Sequence, residues 1–223
     1  MSALLLWMFT ARDLHFSYAS GEFALRIAEF QVKAGETLGI MGPSGAGKTT
    51  FLKLLTGILI PQEGAVKLDD SDLSTMSEPA RRRLRLEKLG LVFQDFALLD
   101  YLSVEDNLLL PMRLGGLLTE EIKTRAHDLI TRLDMVRHWK RLTSELSQGE
   151  RQRVAVARAL LHQPLAVFAD EPTSSLDGAR KDTVMELLTE DARTRKAALI
   201  VVTHDVEMRR WFDRVMDFKE LRT

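Results

Sequence analysis

Cysteine is absent from this 223-residue chain. That excludes a disulfide framework, thiolate ligands and a cysteine nucleophile. A charge imbalance is absent too. Thirty-one Lys and Arg face 32 Asp and Glu, a net charge of −1, so no global field draws the chain to nucleic acid or acidic lipid. Long apolar runs are also missing. The longest early one, Ala3–Phe9, is too short to span a bilayer and lacks the basic flank and cleavage site of a secretory leader. The expectation is an intracellular chain that reaches a membrane only through a partner. No internal repeat or low-complexity segment is visible. What remains is ordinary: 45% hydrophobic and 28% charged residues, enough for one well-cored domain with or without a subdomain.

The stretch that is not ordinary is Gly42–Thr50, GPSGAGKTT. Gly42, Gly47, Lys48 and Thr49 satisfy G-x-x-x-x-G-K-[ST], the phosphate-binding loop. Before it, Thr37–Met41 is apolar enough for a buried strand; after it, Thr50–Leu55 carries apolar residues at helical spacing. Glycines let successive backbone N–H groups converge on an anion, and the helix N-terminus adds its unpaired donors and positive dipole end. Lys48 supplies a mobile charge for the β- and γ-phosphates, and the Thr49 hydroxyl suits Mg²⁺.

Upstream, Leu14, Phe16 and Tyr18 alternate with His15 and Ser17 as in a strand. Ser20–Gly21 reads as a turn, Phe23–Phe30 as a second strand and Ala65–Leu68 as a later one. Tyr18 is either an aromatic platform for a purine or a packed tyrosine. Ser77 is placed to cap a helix through Leu86, whose arginines 81, 82, 83 and 85 read as a solvated face over apolar surface. Gly90–Phe93 is a buried strand ending in polar Gln94 and Asp95, at the end where open α/β sheets bind ligands. Ser103–Arg141 has no strand signal. Ser103 and Thr119 read as helix caps, Pro111 as an interruption and Gly115–Gly116 as a separator, which makes a helical insertion.

Ser147-Gln148-Gly149-Glu150 opens a helix to about His162. It reads as a capping box or as a second phosphate-binding helix N-terminus. Leu165–Ala169 is a strand buried on both faces and ends in Asp170-Glu171. Paired carboxylates there need a partner; a Mg²⁺ ion held with Thr49 would supply one to Asp170 and leave Glu171 to act on a water. Asp177 is placed to cap a helix to about Ala192. The strand Ala197–Val202 ends in Thr203-His204, so His204 is a candidate for the same ligand. His15, His127, His138 and His162 show no such context. Arg214–Lys219 reads as the last strand.

These features together resemble the ABC-transporter ATPase family along essentially the whole chain. Leu146–Glu150 with Arg151–Leu160 looks like the family signature and its helix. The resemblance implies an α/β fold: a P-loop NTPase (RecA-like) core with an N-terminal antiparallel β subdomain, residues 1–94 and 164–223, and an inserted helical subdomain, 95–163. It implies that Tyr18 stacks on adenine, and that Gly42, Pro43, Ser44, Gly45, Ala46, Gly47, Lys48, Thr49 and Thr50 hold the phosphates and Mg²⁺. Gln94 would sense metal and water and couple to the membrane partner. Asp170 would support Mg²⁺, Glu171 act as general base, and His204 hold the γ-phosphate. Ser147 and Gly149 would close on the ATP of a second copy, and Asp177 lie in a loop touching that copy.

The implied protein is an ATPase that pairs head to tail with itself or a similar chain. It would drive an integral-membrane permease from the cytoplasmic face of the inner membrane and bind no nucleic acid. The alternative is a soluble family member acting on DNA or ribosomes. Leu89–Leu99 and Glu105–Pro111 look most like the lipoprotein-releasing, macrolide-efflux and cell-division ATPases. Two positions depart from the usual pattern. Ser175 lies in a loop where small residues vary. Gln148 replaces a glycine; were φ positive there, glutamine would cost on the order of 1 kcal/mol.

Overall fold

The computed structural model describes residues 7–222 apart from 20 and 22. Residues 3–6 of the early apolar run, and Ser20 of the Ser20–Gly21 turn, therefore lie outside the described residues. Gly21 donates its N–H to the Tyr18 carbonyl at 2.9 Å, with φ of +71°.

The chain opens with an antiparallel pair, β1 (Phe9–Ser17) and β2 (Ala24–Val32). In β1 the buried residues are Phe9, Ala11, Leu14 and Phe16. The inward parity changes once, at a register shift between Arg12 and His15 where Asp13 has φ of +50°, so one extra residue re-aims the strand. With β4 (Glu63–Leu68) and β5 (Ser71–Asp72) they form a four-stranded sheet in the order β2-β1-β4-β5.

The second sheet is parallel, ordered β6-β7-β8-β3-β9, and built from β3 (Thr37–Met41), β6 (Leu89–Val92), β7 (Ala166–Asp170), β8 (Ala198–Thr203) and β9 (Arg214–Asp217). Every residue of β3, β7 and β8 is buried, as their unbroken apolar runs require. Leu38, Ile40, Ile200 and Val202 pack towards the antiparallel sheet and α1 (Lys48–Leu55). Val167, Ala169, Leu199 and Val201 pack towards the helices on the other side. Those helices are α3 (Val104–Leu114), α4 (Glu120–Arg132), α5 (Gln148–Leu160) and α6 (Gly178–Arg195). Between β6 and β7 the chain forms helices and turns, with no strand.

Several boundaries differ from the sequence reading. Pro111 does not end its helix: α3 continues to Leu114, since a proline removes one hydrogen bond and three more residues suffice to finish the turn. Ser77 stands at the N-cap of α2 (Glu78–Lys88), but its side chain makes no cap bond. Only two of the four α2 arginines form the expected solvated face. Arg81 bonds Glu78, and Arg85 bonds Glu78 and the Gly57 carbonyl, while only Arg82 and Arg83 face outward. The expected last strand stops at Asp217, whose carboxylate caps α7 (Phe218–Leu221). Ser103, Thr119 and Asp177 do cap α3, α4 and α6. No helix of the described residues is long and apolar enough to cross a membrane.

Candidate functional site

Residues 42–47 arch between the C-terminal end of β3 and the first turn of α1. The N-cap of α1 is Gly47, with φ of +104°. A Cβ there would lie 2.5 Å from the Phe23 ring, so only glycine lets that ring close on the loop. Gly45 is also left-handed, φ +76°, and faces open space. Lys48 is 6% exposed and donates from Nζ to the carbonyls of Gly42 and Pro43, at 2.7 and 2.9 Å. Its ammonium is thereby held at the loop.

Across the sheet, β7 delivers the two carboxylates. Asp170 Oδ2 accepts the Thr49 hydroxyl at 2.6 Å. Burial pushes the Asp170 carboxyl above its usual range; the Thr49 bond pulls the other way and the neighbouring Glu171 charge adds to the rise. Glu171 has φ of +50° and is 9% exposed. Its Oε1 accepts from the His204 backbone N–H at 3.0 Å and from His204 Nδ1 at 2.7 Å; Oε2 accepts from the Thr203 hydroxyl at 3.0 Å. A carboxylate only accepts, so Nδ1 carries a ring proton in this arrangement. β8 thus fixes the acid that β7 presents.

One cavity of about 390 Å³ joins these groups. Tyr18 and Phe23 stand at one side. Ser44, Gly45, Gly47, Lys48, Thr49 and Thr50 form the floor, and Gln94, Asp170, Glu171, Ser174 and His204 close the other side. The volume suits a small ligand. The Tyr18 hydroxyl meets Thr50 Oγ1 at 3.1 Å, and its ring is edge-on to Phe16. Pro43 and Gly42 contribute carbonyls to Lys48, and the Ala46 carbonyl accepts from Arg222. The donor set near Asp170 is hydroxyl and carboxylate oxygen, which fits a hard cation such as Mg²⁺. Among the described residues no cluster of three or more His, Asp or Glu is arranged to hold a metal alone. A cation here would take most of its ligands from phosphate and water, the usual habit of Mg²⁺.

Ser147, Gly149 and Asp177 are not among the residues lining this cavity. Ser147 is exposed and caps α5 in a full capping box: its Oγ accepts from Glu150 N, while Glu150 Oε2 accepts from Ser147 N at 2.8 Å. Burial works against the Glu150 charge, but the Ser147 N–H and hydroxyl hold its carboxyl below the ordinary range. Gln148 is the first residue of α5 and does not have positive φ. The strain considered for that position is therefore absent. Asp177 is exposed and caps α6 beside Arg180.

Four contributors escaped the sequence reading. Phe23 and Ser174 line the cavity; Gln152 and Thr203 bind Glu171 from behind. The aromatic Phe23 shortly after Tyr18 was a usable signal. Gln152 lies in the stretch that resembles the family's signature helix, but no feature of the sequence assigned it a role of its own. Two histidines thought unremarkable have specific settings. His138 is buried with Nε2 3.2 Å from Glu150 Oε1. His162 donates to the Leu89 carbonyl, and burial depresses its pKa to about 4.

A family model described as ABC transporter matches residues 25–174. The lipoprotein-releasing system ATP-binding protein LolD of Xylella fastidiosa is 39% identical over 210 residues, covering 93% of this chain and 88% of that protein. An uncharacterized ABC transporter ATP-binding protein of Mycobacterium bovis is 37% identical over 211 residues; this chain spans only 64% of its length. Among solved structures, a dimeric post-hydrolysis state of the ATP-binding cassette MJ0796 bound to ADP and Pi matches with a TM-score of 0.86 and 31% identity, covering 96% of this chain and 94% of that one.

Proposed function

The chain belongs to the ABC transporter family, and from that premise we propose that it is an ATP-hydrolysing motor subunit, paired with a second copy and coupled to a membrane permease. The observation that carries this reading is the convergence, in one cavity, of the Gly-rich loop with Lys48, the Thr49–Asp170 pair and the Glu171–His204 pair.

In the proposed mechanism the loop N–H groups and Lys48 bind the triphosphate, with Tyr18 and Phe23 beside the base. Thr49, Asp170 and Gln94 would hold Mg²⁺, which would supply positive charge against the phosphates. Glu171 takes a proton from the attacking water at a carboxylate oxygen, and the bonds from Thr203 and His204 keep that carboxylate aimed. His204, whose side chain is 63% exposed at the cavity edge, contacts the γ-phosphate. The exposed N-terminus of α5 brings Ser147 and Gly149 to the γ-phosphate held by the second copy, and Asp177 faces that copy. The dimer described for MJ0796, bound to ADP and Pi, supports pairing of two copies.

The permease contact is proposed at an apolar groove of about 350 Å³ between α2, β6, α3 and α5. It begins at Phe93 and Ala97, on either side of Gln94, and Arg158 forms part of its lining. The chain would sit on the cytoplasmic face through that contact. The relative named LolD supports the lipoprotein-releasing type of machine.

Glu171→Gln tests the reading. The variant should bind ATP, accumulate as an ATP-bound dimer in light scattering, and lose hydrolysis by about 100-fold or more. Wild-type turnover in that variant would remove Glu171 from its role.

A further inference from the structure

The residue that joins the two ends of this machinery inside one chain is Gln152. It lies on α5, two residues beyond the Ser147–Glu150 capping box, and is 0% exposed. Its Nε2 donates to the Glu171 carbonyl at 2.9 Å, and its Oε1 accepts the Ser175 N–H at 3.2 Å. A carbonyl only accepts and an N–H only donates, so the amide has one possible orientation. Glu171 is the residue held in the left-handed region, at φ +50°. The contact is tight elsewhere as well: a Cβ on Gly149 would come within 2.9 Å of the Ser175 carbonyl. The N-terminal turns of α5 are therefore bonded, without intervening solvent, to the loop that carries the general base.

We propose that Gln152 is a positioning residue that couples the two ATP sites of the dimer, by linking the Ser147–Gly149 end of α5 to the Glu171 loop of the same chain. The inference rests on the reading above, in which those two elements serve different nucleotides. The α5 end touches the ATP held by the partner; Glu171 acts on the ATP held by its own chain. A displacement of α5 on engaging the partner's γ-phosphate is passed through one amide to the Glu171 and Ser175 backbone.

The test uses full-length chains with two different affinity tags, isolated as mixed dimers on ATP. Chain one keeps Glu171; chain two carries Glu171→Gln, so only the ATP of chain one turns over. Ser147→Ala in chain two removes a direct contact to the reacting ATP and should slow single-turnover hydrolysis. Ser147→Ala in chain one touches only the silent ATP. The link predicts that it too slows the reaction, by about fivefold or more. With Gln152→Met in chain one, that sensitivity should fall below about twofold.

If Ser147→Ala acts in chain two and not in chain one, the link is wrong and the reading of the α5 end stands. If it acts in neither, that reading fails first. If the chain-one effect persists with Gln152→Met, the coupling runs elsewhere and Gln152 only packs the helix. Gln152→Leu, which removes both bonds at similar volume without burying a charge, gives the same comparison should the methionine variant fail to fold or pair.

Discussion

Asp170→Asn should move stability and catalysis in opposite directions. The carboxylate is 4% exposed, and its one side-chain hydrogen bond among the described residues comes from Thr49. The nearby cation Lys48 donates to two carbonyls instead. Burial disfavours the charge, and the adjacent Glu171 adds to the effect. An asparagine has the same shape, keeps an oxygen for the Thr49 hydroxyl and carries no charge. Relieving a poorly compensated buried group is worth on the order of 1–2 kcal/mol. For a domain of this size each kcal/mol moves Tm by about 2–4 °C. Without nucleotide or metal, the variant should melt about 2–8 °C above wild type.

With Mg²⁺ and ATP at about 100 times Kd, wild type should gain about 2.7 kcal/mol. The variant, lacking the metal carboxylate and binding about 100-fold more weakly, should gain only about 0.4 kcal/mol, so the order of melting temperatures reverses, and hydrolysis should fall by about 100-fold or more. Scanning calorimetry, first in chelator and then in Mg²⁺–ATP, reads the reversal directly. A variant that melts below wild type in chelator would mean that the protein itself satisfies the carboxylate. The argument that Asp170 is set there for a cation would then be wrong.

Three other outcomes follow from particular contacts. Gln148→Gly relieves no strain, because φ is already helical in sign; ATP-driven dimer affinity should change by less than about threefold in light scattering, and a tenfold tightening would restore the strain. Phe23→Ala removes the ring that covers Gly47 and stands 5.9 Å from Tyr18. It should weaken ATP by on the order of 1 kcal/mol, about fivefold, in calorimetric titration, whereas an unchanged Kd would make the ring only a cover for the loop. His162, with its pKa depressed from 6.5 to about 4, binds a proton more readily unfolded than folded. Its contribution is complete above pH 6.5 and is lost as pH falls towards 4, by up to about 3 kcal/mol. His162→Gln, still able to donate to Leu89, should flatten urea-melt stability across that window; equal slopes would clear His162 of the effect.

The phosphate loop and the strands that end in Asp170 and His204 were legible because each carries a local pattern. An apolar run buried on both faces, followed by a polar residue, has few other meanings in an α/β sheet. The capping residues Ser103, Thr119, Ser147 and Asp177 were legible for the same reason: a cap satisfies N–H groups only a few positions away. What could not be read were contacts between distant segments. Gln152 and Glu171 are 19 positions apart and Thr203 and Glu171 are 32 apart, and no periodicity relates them. The arginines of α2 misled because composition describes a helix face, whereas three of the four are bound by Glu78, and Arg85 also by the Gly57 carbonyl. Pro111 misled because a proline near a helix end costs a single bond.

The strained backbone of the site has one common restraint. Phe96, Ala97 and Glu171 are non-glycine residues with φ of +63°, +48° and +50°, conformations that cost of order 1 kcal/mol or more each. All three carbonyls are bound from α5. Arg158 donates to Phe96 at 2.7 Å and to Ala97, and Gln152 donates to Glu171. Arg158 keeps this role although burial lowers its pKa to about 10, because at neutral pH it is still fully charged and the two carbonyls are its acceptors. The loop after Gln94 and the loop carrying Glu171 are thus tied to one rigid helix. The exposed end of that helix is Ser147. A shift of α5 along its axis would strain both loops at once, and so would reach the residue proposed to sense the metal and the residue proposed to activate the water together.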